Sequence, residues 1–330
     1  MNKISVLGAG SWGLALGLLL NEKDNKVTFW CHTESEADDL SLHRENRVCL
    51  PGKKIPPDIE ITSNIEEAVK DKDIIVFAVP SKAIRSTTQL IKPYVEKNTI
   101  IVNVSKGIEE ETLLRLSEVI NTEVDNDVVV LSGPSHAEEV ARHVPTTVTV
   151  SGKNMDAALK IQDTFMTKYF RVYTTEDTVG VELGGALKNV IALAAGAAEG
   201  LGYGDNTKAA LITRGIAEMS RLGVAMGGSM ATLGGLSGIG DLIVTCTSGH
   251  SRNRRAGELI AQGNTLDETL KKINMVVEGV PATRAAYALK KKYDIDMPIT
   301  EAVYKSLFEN EPVRESITAL MLRDKKTEEI

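Results

Sequence analysis

The sequence predicts an α/β domain with a mostly parallel sheet over residues 1–180, followed by an all-helical domain over residues 181–330. Three observations predict this. The chain has 330 residues, and at roughly 150 residues per domain that length suits two domains. Its first half alternates short apolar, β-rich runs with helix-like segments. Its second half passes from Pro145 to Pro281 through 135 residues without proline, rich in alanine, leucine and glycine.

Taken in order, strands are expected at 4–7, 27–30, 74–79, 99–104 and 128–131, with weaker ones at 146–150 and 171–173. Helices are expected at 12–20, 34–43, 65–69, 83–91, 112–120 and 155–166. Continuously apolar strands separated by helices read as a parallel sheet covered on both faces, with right-handed crossovers. Beyond a boundary near 177–181 the period becomes helical. Leu183, Leu187, Val190 and Ala194 mark one face, Ile212, Ile216, Met219 and Leu222 a second, and Ala285, Ala288 and Leu289 a third. Pro298 sits where a helix can begin. The polar end, 323–330, is expected to fray.

Composition excludes several classes of function. Aromatic residues are 4% of the chain, too few for broad base stacking. The formal charge of -7 is the wrong sign for a general binder of nucleic acid or anionic membrane. An anionic ligand would need a local cluster of cations. Residues 1–7 read as a strand running into glycines, not as a signal peptide. The longest weakly polar stretch, 183–198, spans 16 residues and contains a lysine, short of a membrane span. Cys31, Cys49 and Cys246 are odd in number and scattered. They form neither a disulfide framework nor a metal pattern, and fit a reducing cytoplasm.

The first motif is Gly8-Ala9-Gly10-Ser11-Trp12-Gly13. It follows a strand and opens a helix, the context in which GxGxxG binds a dinucleotide in a Rossmann-type domain. Gly8 permits the turn, Gly10 lets a pyrophosphate approach, and Gly13 lets helix and strand pack closely. A nicotinamide cofactor selective for NADH usually meets an acidic residue at the end of the second strand. Here that strand ends in Cys31-His32-Thr33, and Glu34 comes late. NADPH should therefore be accepted. His32 either faces a 2′-phosphate or is a solvated loop residue.

Three further segments carry candidate chemistry. Lys106, in Ser105-Lys106-Gly107, follows a strand, at the end where parallel sheets bind ligands; it is a cation for an anionic substrate or a solvated lysine. Gly133 and Ser135 follow the 128–131 strand, with Ser135 expected to cap the next helix and to offer N–H groups to a ligand. Lys188 is the only charge in 183–198, with Gly184 and Ala192 one turn away on its face. Burial there would lower its pKa and allow proton transfer near neutral pH; the other reading is a snorkelling lysine. Asn189 adds an amide.

The last segment joins Gly240-Asp241, through Thr245-Cys246-Thr247-Ser248-Gly249-His250, to Ser251-Arg252-Asn253-Arg254-Arg255. Ser251 reads as the cap of a helix over 256–261. A helix start beside Arg252 and Asn253 makes a phosphate site, or else a basic turn in solvent. Arg254 and Arg255 are left as structural. Asp241 would hold a substrate hydroxyl or orient a lysine. Residues Val276 to Val280 read only as strand or turn.

GAGSWG, SKGIE, SGPSHAEEV, VELGGALKNVIA and SRNRRAGE, in this order and spacing, resemble the bacterial soluble NAD(P)-dependent glycerol-3-phosphate dehydrogenases from about residue 2 to 322. The resemblance implies reversible hydride transfer between NADPH or NADH and dihydroxyacetone phosphate. The product would be sn-glycerol 3-phosphate for glycerophospholipid synthesis. It implies a cytoplasmic homodimer without metal that binds neither nucleic acid nor membrane. It places the cofactor on Ser11, Trp12, His32, Lys106, Ala137, Arg252, Val276 and Glu278. It places the substrate on Lys106, Gly133, Ser135, Lys188, Asp241, Ser251, Arg252 and Asn253, with Lys188 as proton acceptor in oxidation. Many relatives carry arginine where this chain has His32, so the resemblance leaves the NADPH preference open. The competing enzyme class is a 3-hydroxyacid or 6-phosphogluconate dehydrogenase, which lacks the SRNRR segment. A redox-sensing regulator, which would have no use for Lys188, is the competing non-enzyme.

Overall fold

The computed structural model describes residues 1–325, 327 and 328. Of the end expected to fray, residues 326, 329 and 330 lie outside the described residues. The chain forms two compact units: residues 1–105 with 116–178, and residues 106–115 with 179–330.

The first unit carries β1 (Lys3–Leu7), α1 (Ser11–Asn21), β2 (Lys26–Trp30), α2 (Glu34–His43), β3 (Glu60–Thr62), α3 (Ile65–Val69), β4 (Ile74–Phe77) and α4 (Ile84–Ile91). It continues with β5 (Ile100–Asn103), α5 (Leu116–Glu123), β6 (Val128–Ser132), α6 (Ala137–Val140), β7 (Thr146–Gly152), α7 (Met155–Phe165) and β8 (Phe170–Thr175). The sheet order is β3-β2-β1-β4-β5-β6-β7-β8. All neighbours pair in parallel except β6 with β7. This is a doubly wound sheet whose order reverses beside β1, the position where such sheets bind ligands beyond their strand ends. Ile4, Val6, Phe29, Ile74, Val76 and Val102 are buried in one core with Leu14 and Leu16 of α1. Burying each such side chain is worth about 1.5–3 kcal/mol.

Two local expectations are corrected. β3 was not foreseen, because three residues are too few to show a period. The helix expected at 112–120 begins at Leu116 instead. Leu113 adopts a left-handed φ of 60°, and Ile108 bridges Arg115 in antiparallel fashion. The chain there is a tight hairpin, which a continuous helix cannot accommodate.

The second unit contains α8 (Thr178–Gly200), α9 (Asp205–Ala225), α10 (Met230–Leu233), a π-helical turn (Leu236–Gly240) and α11 (Asp241–Thr247). Then come α12 (Arg252–Ala261), α13 (Leu266–Ile273), α14 (Gly279–Lys292), α15 (Pro298–Phe308) and α16 (Val313–Met321). α8 is its axis, with Leu183, Leu187, Val190 and Ile191 buried in the helical core. α8 and α12 cross backbone against backbone. A Cβ on Gly196 would fall 1.7 Å from the Arg254 carbonyl oxygen, and one on Gly257 1.9 Å from that of Leu193. Over an 18-residue window, α8 is long and apolar enough to cross a membrane, as is the stretch Met230–Thr247. This amends the expectation drawn from uninterrupted apolar runs. Within the protein 89% of the α8 window is buried, the state of a core helix, against 39% of the second stretch.

Glu218 of α9 caps α15. Its carboxylate accepts the N–H groups of Ile299 at 2.6 Å and Thr300 at 3.0 Å, and the Thr300 hydroxyl at 3.0 Å. Burial pushes this carboxyl up to about 7, against those hydrogen bonds. A carboxyl raised in the folded state stabilises most below its unfolded pKa, and that contribution fades as pH rises through about 7. Glu218→Gln should flatten the dependence of Tm on pH between about 4.5 and 7. An unchanged slope would remove Glu218 as its source.

Candidate active site

In the first unit, β1 runs into Gly8, whose N–H donates to the Trp30 carbonyl at 3.0 Å. Gly8 has φ +106°, and a Cβ there would sit 2.8 Å from the Ala78 carbonyl oxygen. A Cβ on Gly13 would meet the Gly8 carbonyl oxygen at 2.0 Å, whereas nothing lies within 4 Å of one on Gly10. Gly10 caps α1 without a side-chain hydrogen bond. The first N–H groups of α1, on Ser11, Trp12 and Gly13, therefore have no acceptor within their own helix, and the space beside Gly10 is open. That combination fits a pyrophosphate. The Ser11 hydroxyl is engaged elsewhere, donating to the Cys49 carbonyl at 2.7 Å, which leaves its backbone N–H for an anion.

His32 is exposed just past β2, its ring edge-on to Trp30 at 5.8 Å. Cys31 beside it is buried and Thr33 caps α2, so no carboxylate ends the strand. Gly133 has φ +146° where β6 ends, and a Cβ there would lie 2.9 Å from the Val148 Cα. Ser135 does not cap α6. The cap is His136, whose side chain does not bond the N–H groups of the helix start, and the Ser135 hydroxyl donates to the Gly133 carbonyl at 2.9 Å. The turn after Gly133 is closed locally, which places Ser135 one residue too early to cap. Ala137, first in α6, is buried.

In the second unit, three charged side chains of the sequence reading come together. Asp241 receives Lys106 Nζ on Oδ2 at 2.6 Å and Lys188 Nζ on Oδ1 at 2.5 Å. Lys188 and Asp241 are 7% and 1% exposed. The Thr245 hydroxyl donates to the Asp241 carbonyl at 2.6 Å and accepts from Lys188 Nζ at 2.8 Å. The sequence places Thr245 in the same segment, one helical turn after Asp241, but assigns it no role. The small residues beside Lys188 have a visible use: a Cβ on Gly184 would meet the Ser237 carbonyl oxygen at 2.4 Å. α8 thereby packs against the π-helical turn that leads into Asp241.

The electrostatics follow from burial. Burial lowers the Lys188 ammonium to about 8; Asp241 opposes this and Lys106 adds to it. Burial also pushes Asp241 up, but Lys106 and Lys188 outweigh it and hold the carboxyl below its ordinary range. With both lysines protonated, the cluster has one positive charge in excess. It is suited to a ligand oxygen that gains negative charge.

Ser251 caps α12 by accepting the Arg254 N–H at 3.2 Å. The helix starts at Arg252, four residues before the expected 256, so the basic segment is itself helical. Arg252 is exposed. Asn253 is buried: its amide donates to Asn189 Oδ1 at 2.8 Å, and its oxygen accepts the Gly279 N–H at 2.9 Å. This bridge ties α8 and α12 to Gly279 at the start of α14; the segment Val276–Glu278 before it is a turn and not a strand. Arg254 is structural, bonded to the Ser248 carbonyl at 3.0 Å and paired with Glu199 at 2.7 Å. Among the described residues, no group of three or more His, Cys, Asp or Glu side chains forms a metal-ligand set.

Comparison with known proteins gives a consistent family. A model described as NAD-dependent glycerol-3-phosphate dehydrogenase N-terminus matches residues 3–158, and its C-terminus counterpart matches residues 177–318. The chain is 55% identical to the glycerol-3-phosphate dehydrogenase (NAD(P)+) of Fusobacterium nucleatum, over 99% of both chains. It is 53% identical to that of Bacillus subtilis, over 99% of this chain and 96% of the other. The crystal structure of glycerol-3-phosphate dehydrogenase from Coxiella burnetii superposes with a TM-score of 0.95 at 36% identity, covering 98% of this chain and 99% of that one.

Proposed function

The chain belongs to the NAD-dependent glycerol-3-phosphate dehydrogenase family, an NAD(P)-dependent oxidoreductase acting on glycerol 3-phosphate, and from that premise we propose that Lys188 exchanges the proton of the reaction. The observation that carries this is the buried Lys106–Asp241–Lys188 cluster with its excess positive charge. The bound cofactor supplies or accepts the hydride at the substrate's carbonyl carbon. In reduction the Lys188 ammonium polarises the carbonyl oxygen and gives its proton to the forming alkoxide. In oxidation its neutral amine takes the hydroxyl proton. Asp241 orients both lysines, and Lys106 binds the substrate.

Ser251, Arg252 and Asn253 are the proposed phosphate end, and the resemblance adds Gly133 and Ser135 to the substrate residues. Arg252 supplies the guanidinium, whereas the bridging role of Asn253 leaves mainly its helix-start N–H for the anion. The glycine motif assigns the cofactor to Gly8, Gly10, Ser11, Trp12 and Gly13, and the resemblance adds His32, Ala137, Lys106, Arg252, Val276 and Glu278. Residues 1–180 thus carry the glycine motif for the cofactor and 181–330 the proton-exchanging lysine and the basic segment, with Lys106 working beside Asp241. The family assignment removes the hydroxyacid and 6-phosphogluconate alternatives. The same reading takes the protein as a cytoplasmic homodimer that binds neither nucleic acid nor membrane and feeds glycerophospholipid synthesis. The net charge of -7 supports the lack of nucleic-acid binding, and the dimer rests on the resemblance.

The test is a steady-state assay with dihydroxyacetone phosphate and each reduced cofactor. Turnover is expected with both NADPH and NADH, and little with unphosphorylated dihydroxyacetone, since remote phosphate binding positions the carbonyl. Absence of turnover on the phosphate ester would overturn the reading. Arg252→Ala should lower kcat/KM for dihydroxyacetone phosphate by about tenfold to a hundredfold, as expected for a partly solvated, charge-assisted contact. Parent-like kcat/KM would place the phosphate elsewhere.

A further inference from the structure

The segment 106–115 follows β5 and precedes α5, both in the first unit, yet it packs in the second. Ten residues of irregular chain need anchors to hold one geometry, because their ordering costs roughly 1–2 kcal/mol of backbone entropy each. The structure supplies them. Ile108 is buried in the helical core, with Leu113 packed against it. The hairpin is closed by Glu109 N–H to the Leu114 carbonyl at 3.0 Å and Leu113 N–H to the Glu109 carbonyl at 2.9 Å. At its far end Arg115 pairs with Glu182 of α8 at 2.5 Å, the two side chains being 10% and 3% exposed. A surface pair, Glu110–Arg284 at 3.7 Å, adds little. A buried pair is costly to desolvate and weak evidence of stability by itself. This one joins the strap bearing Lys106 to the helix bearing Lys188.

We infer that Arg115 and Glu182 are positioning residues: their buried pair fixes the strap so that Lys106 stays against Asp241, and through Lys106 it sets how readily Lys188 gives up a proton. The inference rests on the proposed roles of Lys106 and Lys188. The charged groups acting on Lys188 are Asp241 of α11, which raises its proton affinity, and Lys106 of the strap, which lowers it. Cys246 of α11 is also in range, but burial pushes its thiol up to about 12 and keeps it neutral. Lys208 of α9, which also acts on Cys246, is paired with Glu199 at 3.5 Å. If the strap loosens, Lys106 moves away, like-charge repulsion on Lys188 falls, and its midpoint rises.

The experiment compares four proteins: parent, Lys106→Met, the double variant Arg115→Met/Glu182→Leu, and the triple combination. The double variant removes both buried charges together, so neither is left unpaired if Glu182→Gln alone fails to fold. Readouts are KM for dihydroxyacetone phosphate and the pH midpoint of kcat for glycerol 3-phosphate oxidation. The double variant should raise KM about tenfold and move the midpoint upward in the same direction as Lys106→Met, a coupling of ordinary size for residues in one network. The triple variant should add no further shift, and a fifth protein, the conservative single variant Arg115→Lys, should keep KM and midpoint close to those of the parent. A lowered Tm with KM and midpoint unchanged would reduce the pair to a structural role and overturn the inference alone. If Lys106→Met itself moves neither readout, the site reading fails along with it.

Discussion

Lys188→Met is expected to lower kcat by about 10²- to 10⁴-fold through loss of general acid–base catalysis, and by more if carbonyl polarisation is lost too. Hydride arriving at a ketone carbon leaves an alkoxide that needs a proton. The histidines are poorly suited to give it. His143 is exposed, held at 2.9 Å by Glu22 and stacked on Tyr169, and His250 sits in an exposed loop. Lys188 is buried, and burial brings its ammonium to about 8, where proton transfer in either direction is feasible. The sign of the pH dependence follows. Oxidation needs the neutral amine, so its rate should rise as pH passes through about 8, and reduction needs the ammonium, so its rate should fall over the same window. Methionine keeps the length of the side chain and leaves Asp241 paired with Lys106, so the fold should survive. Cofactor affinity, which the proposed function rests mainly on the glycine loop, should survive as well. Single-turnover hydride transfer with saturating NADPH is the decisive measurement, and a rate within about threefold of the parent would assign the proton to another group.

Asp241→Asn is expected to cost stability as well as activity. It removes the one anion between two ammonium groups and leaves buried charge unpaired, a change of about 3–5 kcal/mol. Lys188 loses the partner that raises its proton affinity, so its pKa should fall below its present value. A lysine lowered in the folded state binds fewer protons there than in the unfolded chain, so stability rises with pH between its folded and unfolded values. The parent's Lys188 makes that passage above about 8. The deficit of the variant should therefore be widest below that pH and narrow above it. Denaturant unfolding at pH 6.5 and 9 would show this. A deficit independent of pH would mean that the carboxylate does not govern the lysines.

The sheet and α8 were legible because their signals are local. Ile74–Phe77 and Ile100–Asn103 are unbroken apolar runs, and Lys188 is a lone charge in an apolar stretch. Ser251 was recognisable as a cap from its position alone. What escaped the sequence lies in pairings between distant residues. Arg115 and Glu182 are 67 positions apart, and Asn189 and Asn253 are 64 apart; neither separation leaves a period. Asp241 was visible as a functional carboxylate, but whether it faced a hydroxyl or a lysine depended on how α11 turns against α8. The error at Ser135 came from treating a capping residue type as sufficient, when the preceding glycine had already diverted its hydroxyl.

The backbone-to-backbone crossing of α8 and α12 bears on how this protein acquires its chemistry as it leaves the ribosome. α8 contains Gly180, Gly184, Gly185, Gly196 and Gly200, each costing about 1 kcal/mol of helix propensity relative to alanine. Such a segment does not hold a helix by itself in water, where nucleation is already unfavourable. It becomes helical by docking, and α12 can dock only where Gly196 and Gly257 let the backbones touch. The lysine and the Ser251–Arg252 helix start therefore take shape in the same cooperative event. On the proposed roles, a nascent chain would have no reactive amine poised for chemistry before the helix start proposed for the phosphate has formed.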